Sequence, residues 1–489
     1  MPNQTEEFRQ QPPAPLAPRP LNIPTPEEAT LANGLRVVVV ESARVPLVSF
    51  RLALWTGDAF DPPELPGLTD ILTHMLTEGT ETLNSRQLAD EVARLGATLA
   101  AGANSDYTTV AASALAAYSD RILELLADIA LRPSFPADEL ELTKQNAQQN
   151  LIAQRAQASF LASEMVARVV YGEHPYAVVS PTVESIEALT REKLSDFHRS
   201  TFIPNNAVLV VVGDVRREAL LPRIEALFGA WQPGEVPSKE FPALPEHSSR
   251  ALYVVDRPGS AQSNIVIANT AITRTHPDYF PTLVMHTVLG ATASSRLFMN
   301  LREEKGYTYG AYTSLDARRE AGTYRATAEV RTPVTGASLK EFFYELERIR
   351  NEAVTEKELN DAKSYLNGIF PMRLETQEGL IDQLVQIKMH HLPTGHLEAY
   401  RDRVAAVTIG EVERVARAHI KPDRAVIVIV GDAAALVEQV KPYAEEIEFY
   451  DSSGARLETY DATTRATAAN SDAPTTAESA TNTEHGGDT

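Results

Sequence analysis

Cysteine is absent from all 489 residues, which excludes disulfides, thiol nucleophiles and thiolate metal sites; a reducing compartment fits but is not required. Long apolar runs are also missing. No stretch of 18 consecutive apolar residues occurs, so a transmembrane helix is not expected. The first twenty residues, MPNQTEEFRQQPPAPLAPRP, lack the apolar centre of a secretory signal, so a cytoplasmic location is expected as written, and export only if the start is misplaced. Positive charge is in short supply: 45 Lys and Arg stand against 66 Asp and Glu, a net of −21. Nucleic acid and anionic membranes need clustered cations and are disfavoured as partners, while a basic peptide would be attracted. Neither GxGxxG, GxxxxGK[ST] nor GxSxG is present, so phosphate-cradling loops and a serine-hydrolase elbow have no support.

What remains is a globular composition, with 43% hydrophobic and 23% charged residues, long enough for two or three domains. Residues 1–24 are rich in Pro and Gln and read as a flexible arm, and 451–489 read as a disordered acidic tail. Between them lies a duplication. Thr190–Val215 (TREKLSDFHRSTFIPNNAVLVVVGDV) parallels Thr408–Ala433 (TIGEVERVARAHIKPDRAVIVIVGDA), with Pro204 matching Pro422 and Gly213 matching Gly431, each 218 residues apart. A second repeat, at an offset of 210, pairs Ser85-Arg86 with Ser295-Arg296 and Gly96 with Gly306. Two related domains follow, 25–235 and 250–450, joined by a linker at 236–249.

The apolar, mostly β-branched-rich runs Leu35–Val40, Leu47–Leu54 and Val208–Val212, bounded by turn residues, predict strands. Three- and four-residue apolar steps predict helices at Asp120–Ala130 and Leu339–Ala353. Strands and helices do not alternate regularly, so the expected class is α+β. Each domain would be a largely antiparallel sheet with helices packed on one face.

Pro66–Thr80 (PGLTDILTHMLTEGT) predicts a helix opened by Pro66-Gly67, with Gly79 as its C-terminal cap and Asp70 and His74 four apart on one face. Here the chain resembles the insulinase/pitrilysin-type (inverted zincin, mitochondrial-processing-peptidase-like) metallopeptidases, whose helix reads Gly-Leu-x-His-x-x-Glu-His-Met-Leu-x-x-Gly-Thr. Gly67, Leu68, His74, Met75, Leu76, Gly79 and Thr80 fit that pattern. The resemblance implies zinc ligands at positions 70 and 74, a water-activating Glu at 73, and a third ligand, Glu, at about Gln149–Asn150. This chain instead has Asp70, Thr73, His74 and Asn150 there. A catalytic zinc needs three protein ligands, and threonine does not accept a proton as a carboxylate does. The expectation is that this chain binds no metal and does not cleave peptides alone.

Leu95–Val110 is similar to the family's substrate-pairing edge strand, with Ala100 where Asn is usual, and Tyr171–Tyr176 (YGEHPY) also fits, with His174 in a structural role. His390, His391 and His396 flank Pro393-Thr394-Gly395 and read as a solvated loop. In the second half, Ser294–Ser314 contains Leu-Arg-x-x-x-Gly-x-x-Tyr, with Arg302 and Tyr309 seven apart. In the family's non-catalytic halves and subunits this pair reaches across a chamber to the scissile carbonyl. Preorganised donors there stabilise the developing oxyanion.

The resemblance therefore implies a non-catalytic subunit of a heterodimeric zinc peptidase. Arg302 and Tyr309 would act in trans on an unfolded peptide, and the zinc would sit in a homologous partner subunit. The alternative is a peptide-binding or assembly scaffold without a catalytic role.

Overall fold

The runs expected as strands form Arg36–Glu41, Leu47–Leu54 and Ala207–Gly213 in the computed structural model, which describes residues 21–458. The first half builds strands β1 (Glu27–Thr30), β2 (Arg36–Glu41), β3 (Leu47–Leu54), β4 (Thr98–Ala103), β5 (Thr108–Leu115) and β6 (Ala207–Gly213). The second builds β7 (Ala251–Asp256), β8 (Gln262–Ala271), β9 (Thr308–Ala317), β10 (Gly322–Arg331), β11 (Val426–Gly431) and β12 (Ile447–Tyr450). The two six-stranded sheets run β1-β2-β6-β3-β5-β4 and β12-β7-β11-β8-β10-β9, so the duplication is visible in five strands of each, while the outermost, β1 and β12, come from opposite ends of their halves. In the first sheet only the β2–β6 pair is parallel; in the second, β7 pairs in parallel with both β11 and β12.

The matched residues occupy matched places. Pro204 and Pro422 each open a short 3-10 turn that feeds β6 or β11, and Gly213 and Gly431 end those strands. Thr190 and Thr408 cap equivalent helices, accepting from Lys193 N and Glu411 N. Gly96 and Gly306 both take the left-handed conformation, at φ 58° and 63°, just before β4 and β9. That turn favours glycine at both sites.

Strand β6 is buried along its whole length, and its alternation shows why. Leu209 and Val211 face the first half's own core, with Leu72, Ile122 and Leu126. Val208, Val210 and Val212 face the opposite way, toward Leu380, Ile381 and Leu384 of helix Gln377–Met389 from the second half. The second sheet mirrors this: Val426, Val428 and Val430 of β11 pack on Leu161, Met165 and Val166 of helix Ala158–Tyr171 from the first half. The expected arrangement, helices on one face, describes only each half's own helices. The other face is covered by a helix exchanged between halves, because a strand apolar on both faces must be shielded on both. Each leucine buried there contributes about 1.5–3 kcal/mol.

Helices expected at 120–130 and 339–353 are Ser119–Leu131 and Thr335–Asn351, the second ending early because Glu352 is already extended. Of the expected arm, residues 1–20 lie outside the described residues, while Leu21 and Ile23 pack against the second core. The 236–249 stretch is irregular but anchored: the Phe241 ring stacks on His174 at 5.0 Å and Lys239 Nζ donates to Ala59 O at 2.7 Å. Of the expected tail, 459–489 lie outside the described residues, and Asp451–Leu457 turn back on β12, with Leu457 N donating to Phe449 O at 2.8 Å. No helix among the described residues is long and apolar enough to cross a membrane.

Candidate functional site

Helix Leu68–Met75 is set by a carboxylate rather than by a local cap residue. Asp61 accepts from Gly67 N at 2.9 Å and Thr69 N at 3.0 Å, and the Thr69 hydroxyl donates to it as well. Burial pushes the Asp61 carboxyl up to about 7 although all three donors favour its charged form. Leu68, Ile71, Leu72 and Met75 form the buried stripe. The helix stops at Met75, and two tighter turns follow, from Thr77 N to His74 O and from Glu78 N to Met75 O. Gly79 is therefore not its cap; it bridges to Asn84, five residues further on.

Asp70 and His74 are exposed on this helix. Thr73 is not beside them at the surface: it is buried, and its hydroxyl donates to Asp70 O at 2.9 Å. Asn150 lies exposed on helix Ala137–Arg155, which packs against the first helix, with Thr143 Oγ1 donating to Met75 Sδ at 3.5 Å. Among the described residues no third His, Cys, Asp or Glu joins Asp70 and His74 within ligand reach of both. The residues present do not fit a catalytic zinc: one imidazole, one carboxylate, an amide and a hydroxyl already bonded to backbone.

The neighbouring edge strand is β4, which packs beside helix Leu68–Met75, with Thr98, Ala100 and Ala103 exposed. His174 is buried, and its Nδ1 accepts from Tyr176 N at 3.1 Å, a structural role. His390 and His396 are buried, so the expected solvated loop is wrong for these two; His391 is exposed, its ring stacked on Trp55 at 5.8 Å. Burial holds both His390 and His396 down at about 4.

Arg302 and Tyr309 lie on either side of the Gly306 turn. Helix Arg296–Phe298 widens into a π-helical turn, Met299–Glu304, that carries Arg302. Its guanidinium lies 4.9 Å from the Phe298 ring centroid and 3.4 Å from a Glu303 oxygen, and the side chain is about half exposed. The turn is anchored by Arg296, whose guanidinium grips Glu358 at 2.6 and 3.1 Å. Burial alone would raise the Glu358 carboxyl, but the Arg296 hydrogen bonds and charge bring it down to about 2. Tyr309 is 90% exposed. It sits in a β-bulge, because Thr308 opposes Val330 while Ala311 opposes Ala328, leaving Tyr309 and Gly310 against Glu329 alone. A bulge re-aims the side chain it carries.

Other features had no sequence signal, because their members are remote along the chain. The β9–β10 turn docks on the β4–β5 turn, with Arg319 N donating to Asp106 Oδ2 at 2.9 Å and Arg318 to Ser105 Oγ at 3.0 Å. The Tyr176 hydroxyl also donates to Asp106. His276, Asp278 and His419 come within 4.8 Å, the only such set among the described residues. Both Asp278 oxygens are taken by Arg414, at 2.7 and 3.0 Å, so the set is an ion-pair latch between helices Tyr279–His286 and Ile409–His419.

Residues 36–179 match the family described as insulinase (peptidase family M16), and residues 188–366 match the peptidase M16 inactive domain. The chain is similar to an uncharacterized zinc protease of Bacillus subtilis, YmxG, at 24% identity over 71% of this chain and 84% of that one. It is similar to another from Streptomyces coelicolor at 22% identity, covering 81% and 87%. Among solved structures, a peptidase M16 inactive domain from Pseudomonas fluorescens superposes with a TM-score of 0.78 at 27% identity, over 83% of this chain and all but 2% of that one (98% covered). A protease from Helicobacter pylori shares the fold, with a TM-score of 0.77 at 20% identity over 83% and 100%.

Proposed function

This chain belongs to the insulinase family of peptidases, and from that premise we propose that it is the non-catalytic subunit of a two-chain zinc metallopeptidase. Its partner would be a homologous subunit bearing the complete zinc helix, and its substrate an unfolded peptide. The observation that carries this reading is Tyr309, an aromatic held out on a β-bulge at 90% exposure with Arg302 across the preceding turn. Burying a tyrosine ring is favourable, so a tyrosine kept in the open beside a cation points to a ligand outside this chain.

The zinc of the partner would supply an activated water. The part played by this chain is electrostatic. Attack on a peptide carbonyl moves negative charge onto its oxygen, and the Arg302 guanidinium and Tyr309 hydroxyl would donate hydrogen bonds to that oxygen. Strand β4 would offer free backbone groups to the extended peptide.

Mixing the two subunits is expected to give zinc-dependent peptide cleavage that neither shows alone. Arg302→Ala should lower turnover by about 10²–10³-fold and Tyr309→Phe by about tenfold, with assembly measured by sedimentation unchanged. A partner fully active by itself would sink the proposal and leave a scaffold.

A further inference from the structure

A cavity between the halves with an excess of cations lies where β4 ends. Gly102, Ala103 and Asn104 form one side of a cavity of about 620 Å³, and the second half forms the other. Three arginines line it, Arg51, Arg274 and Arg373, against a single carboxylate, Asp382. That carboxylate is committed to Arg51 at 3.1 Å. Among the described residues Arg274 has no acidic partner: its guanidinium lies 3.9 Å from the Tyr279 ring centroid, and it is 3.3 Å from His396 Nε2, which is neutral near pH 7 and can accept its hydrogen bond. Arg373 is exposed and forms no ion pair among the described residues. The remaining wall is mixed, with Leu283, Leu366, Val385 and Gln386 beside the rings of Tyr279, Phe370 and Tyr400, the last two stacked at 3.9 Å.

We propose that this cavity binds a peptide carboxylate lying next to an apolar or aromatic side chain, Arg274 and Arg373 pairing with the charge and the Tyr279, Phe370 and Tyr400 rings taking the apolar group. A guanidinium held against a ring and left without a carboxylate is already desolvated on one side, so an incoming anion gains more there than at an open surface. The local charge thus runs against the net −21 of the chain, and the preference is for acidic or free carboxyl ends rather than for basic peptides. The substrate class rests on the peptide-chamber reading above, since a peptide paired along β4 would run into the cavity at Gly102–Asn104. The carboxylate can be a C-terminus or an Asp or Glu side chain.

Calorimetry on the full chain with N-acetylphenylalanine and with its amide isolates the pocket from any peptidase role. The acid is expected to bind about tenfold more tightly than the amide, and Arg373→Ala, at an exposed position, to abolish that difference without lowering the melting temperature. Arg274→Gln is expected to do the same, and equal affinity of acid and amide for the wild type overturns the proposal. So does a preference that survives in both variants. Fluorescent peptides then separate the sources: a free against an amidated C-terminus, and internal Glu against Gln. Peptides bound without either preference overturn the pocket while leaving the two-subunit reading intact; a carboxylate-selective chain that never supports cleavage with its partner does the reverse.

Discussion

The two halves share a frame and differ at the same two positions. At the 210-residue offset of the second repeat, Arg302 and Tyr309 correspond to Val92 and Leu99. Val92 and Leu99 are partly buried hydrophobics packed against the first core. Their counterparts stand in the open, one on a π-helical turn and the other on a bulge. Strand β4 pairs with β5 residue for residue without a shift, whereas β9 slips register at Tyr309 and Gly310. The fold therefore does not require the arginine, the tyrosine or the bulge; the first half does without all three. What distinguishes the second half is local irregularity, a π-helical turn and a bulge, at the two positions where the first half is regular and packed.

The first half keeps the frame of a zinc site without its ligands, and that invites the largest test. Asp70, His74 and Asn150 are all exposed, on helices that still pack together. Asp70→His with Asn150→Glu would complete two imidazoles and a carboxylate at surface positions, where neither change fills a core. The double variant is expected to bind one equivalent of zinc at micromolar affinity or better, about 8 kcal/mol of binding that the wild type lacks. Calorimetry against both proteins measures it. A double variant as inert as the wild type would mean that the frame has drifted along with the ligands.

The exchanged helices come next in size. Leu384 on helix Gln377–Met389 and Leu161 on helix Ala158–Tyr171 are each at least 96% buried against the other half's sheet. Leu384→Asp and Leu161→Asp should each cost about 3–5 kcal/mol, by removing apolar burial and placing an unpaired charge there. Urea unfolding reads the loss. If one of them is silent, the exchange supports only one sheet.

Much of this was legible beforehand, and the reasons are local. Val208–Val212 is β-branched-rich and Leu47–Leu54 largely apolar, each between turn residues, so they read as strands, and they are strands. The duplication was legible because Pro204, Gly213, Pro422 and Gly431 sit at places where the backbone allows few alternatives. The exchange of helices was not, since Leu161 and Leu384 have the spacing of any amphipathic helix, which does not tell whose sheet it covers. Gly79 looked like a helix cap because glycine suits one, yet the helix ends four residues earlier and Gly79 bridges to Asn84. The histidines 390 and 396 looked solvated from their Pro-Thr-Gly loop; tertiary burial overrode composition. Arg274 and Arg373 had no signal at all, because a cavity between halves is written in residues that only folding brings together.

The smallest effects set one helix against its counterpart by pH. Asp61, buried at the start of helix Leu68–Met75, is pushed up to about 7 by burial, against about 3.9 for an ordinary aspartate. Between those values the folded chain holds a proton that the unfolded chain releases. The stability this group contributes is therefore full below about pH 4 and lost as pH rises toward 7. Asp61→Asn, which cannot ionise, should abolish a pH-dependent loss on the order of 3 kcal/mol, whatever it does to absolute stability. Asp278, which precedes helix Tyr279–His286, behaves oppositely: hydrogen bonds from Arg414 hold its carboxyl below the usual range, with burial opposing and His419 assisting. Its contribution is present above about pH 4 and lost as pH falls, and Asp278→Asn should remove about 1 kcal/mol of it, since Arg414 is half in solvent. Hydrogen exchange resolved to the two helices, from about pH 2 to about pH 8, separates them. The first helix should lose protection as pH rises and the second as pH falls; parallel behaviour in the two would show that the carboxylates do not govern their helices.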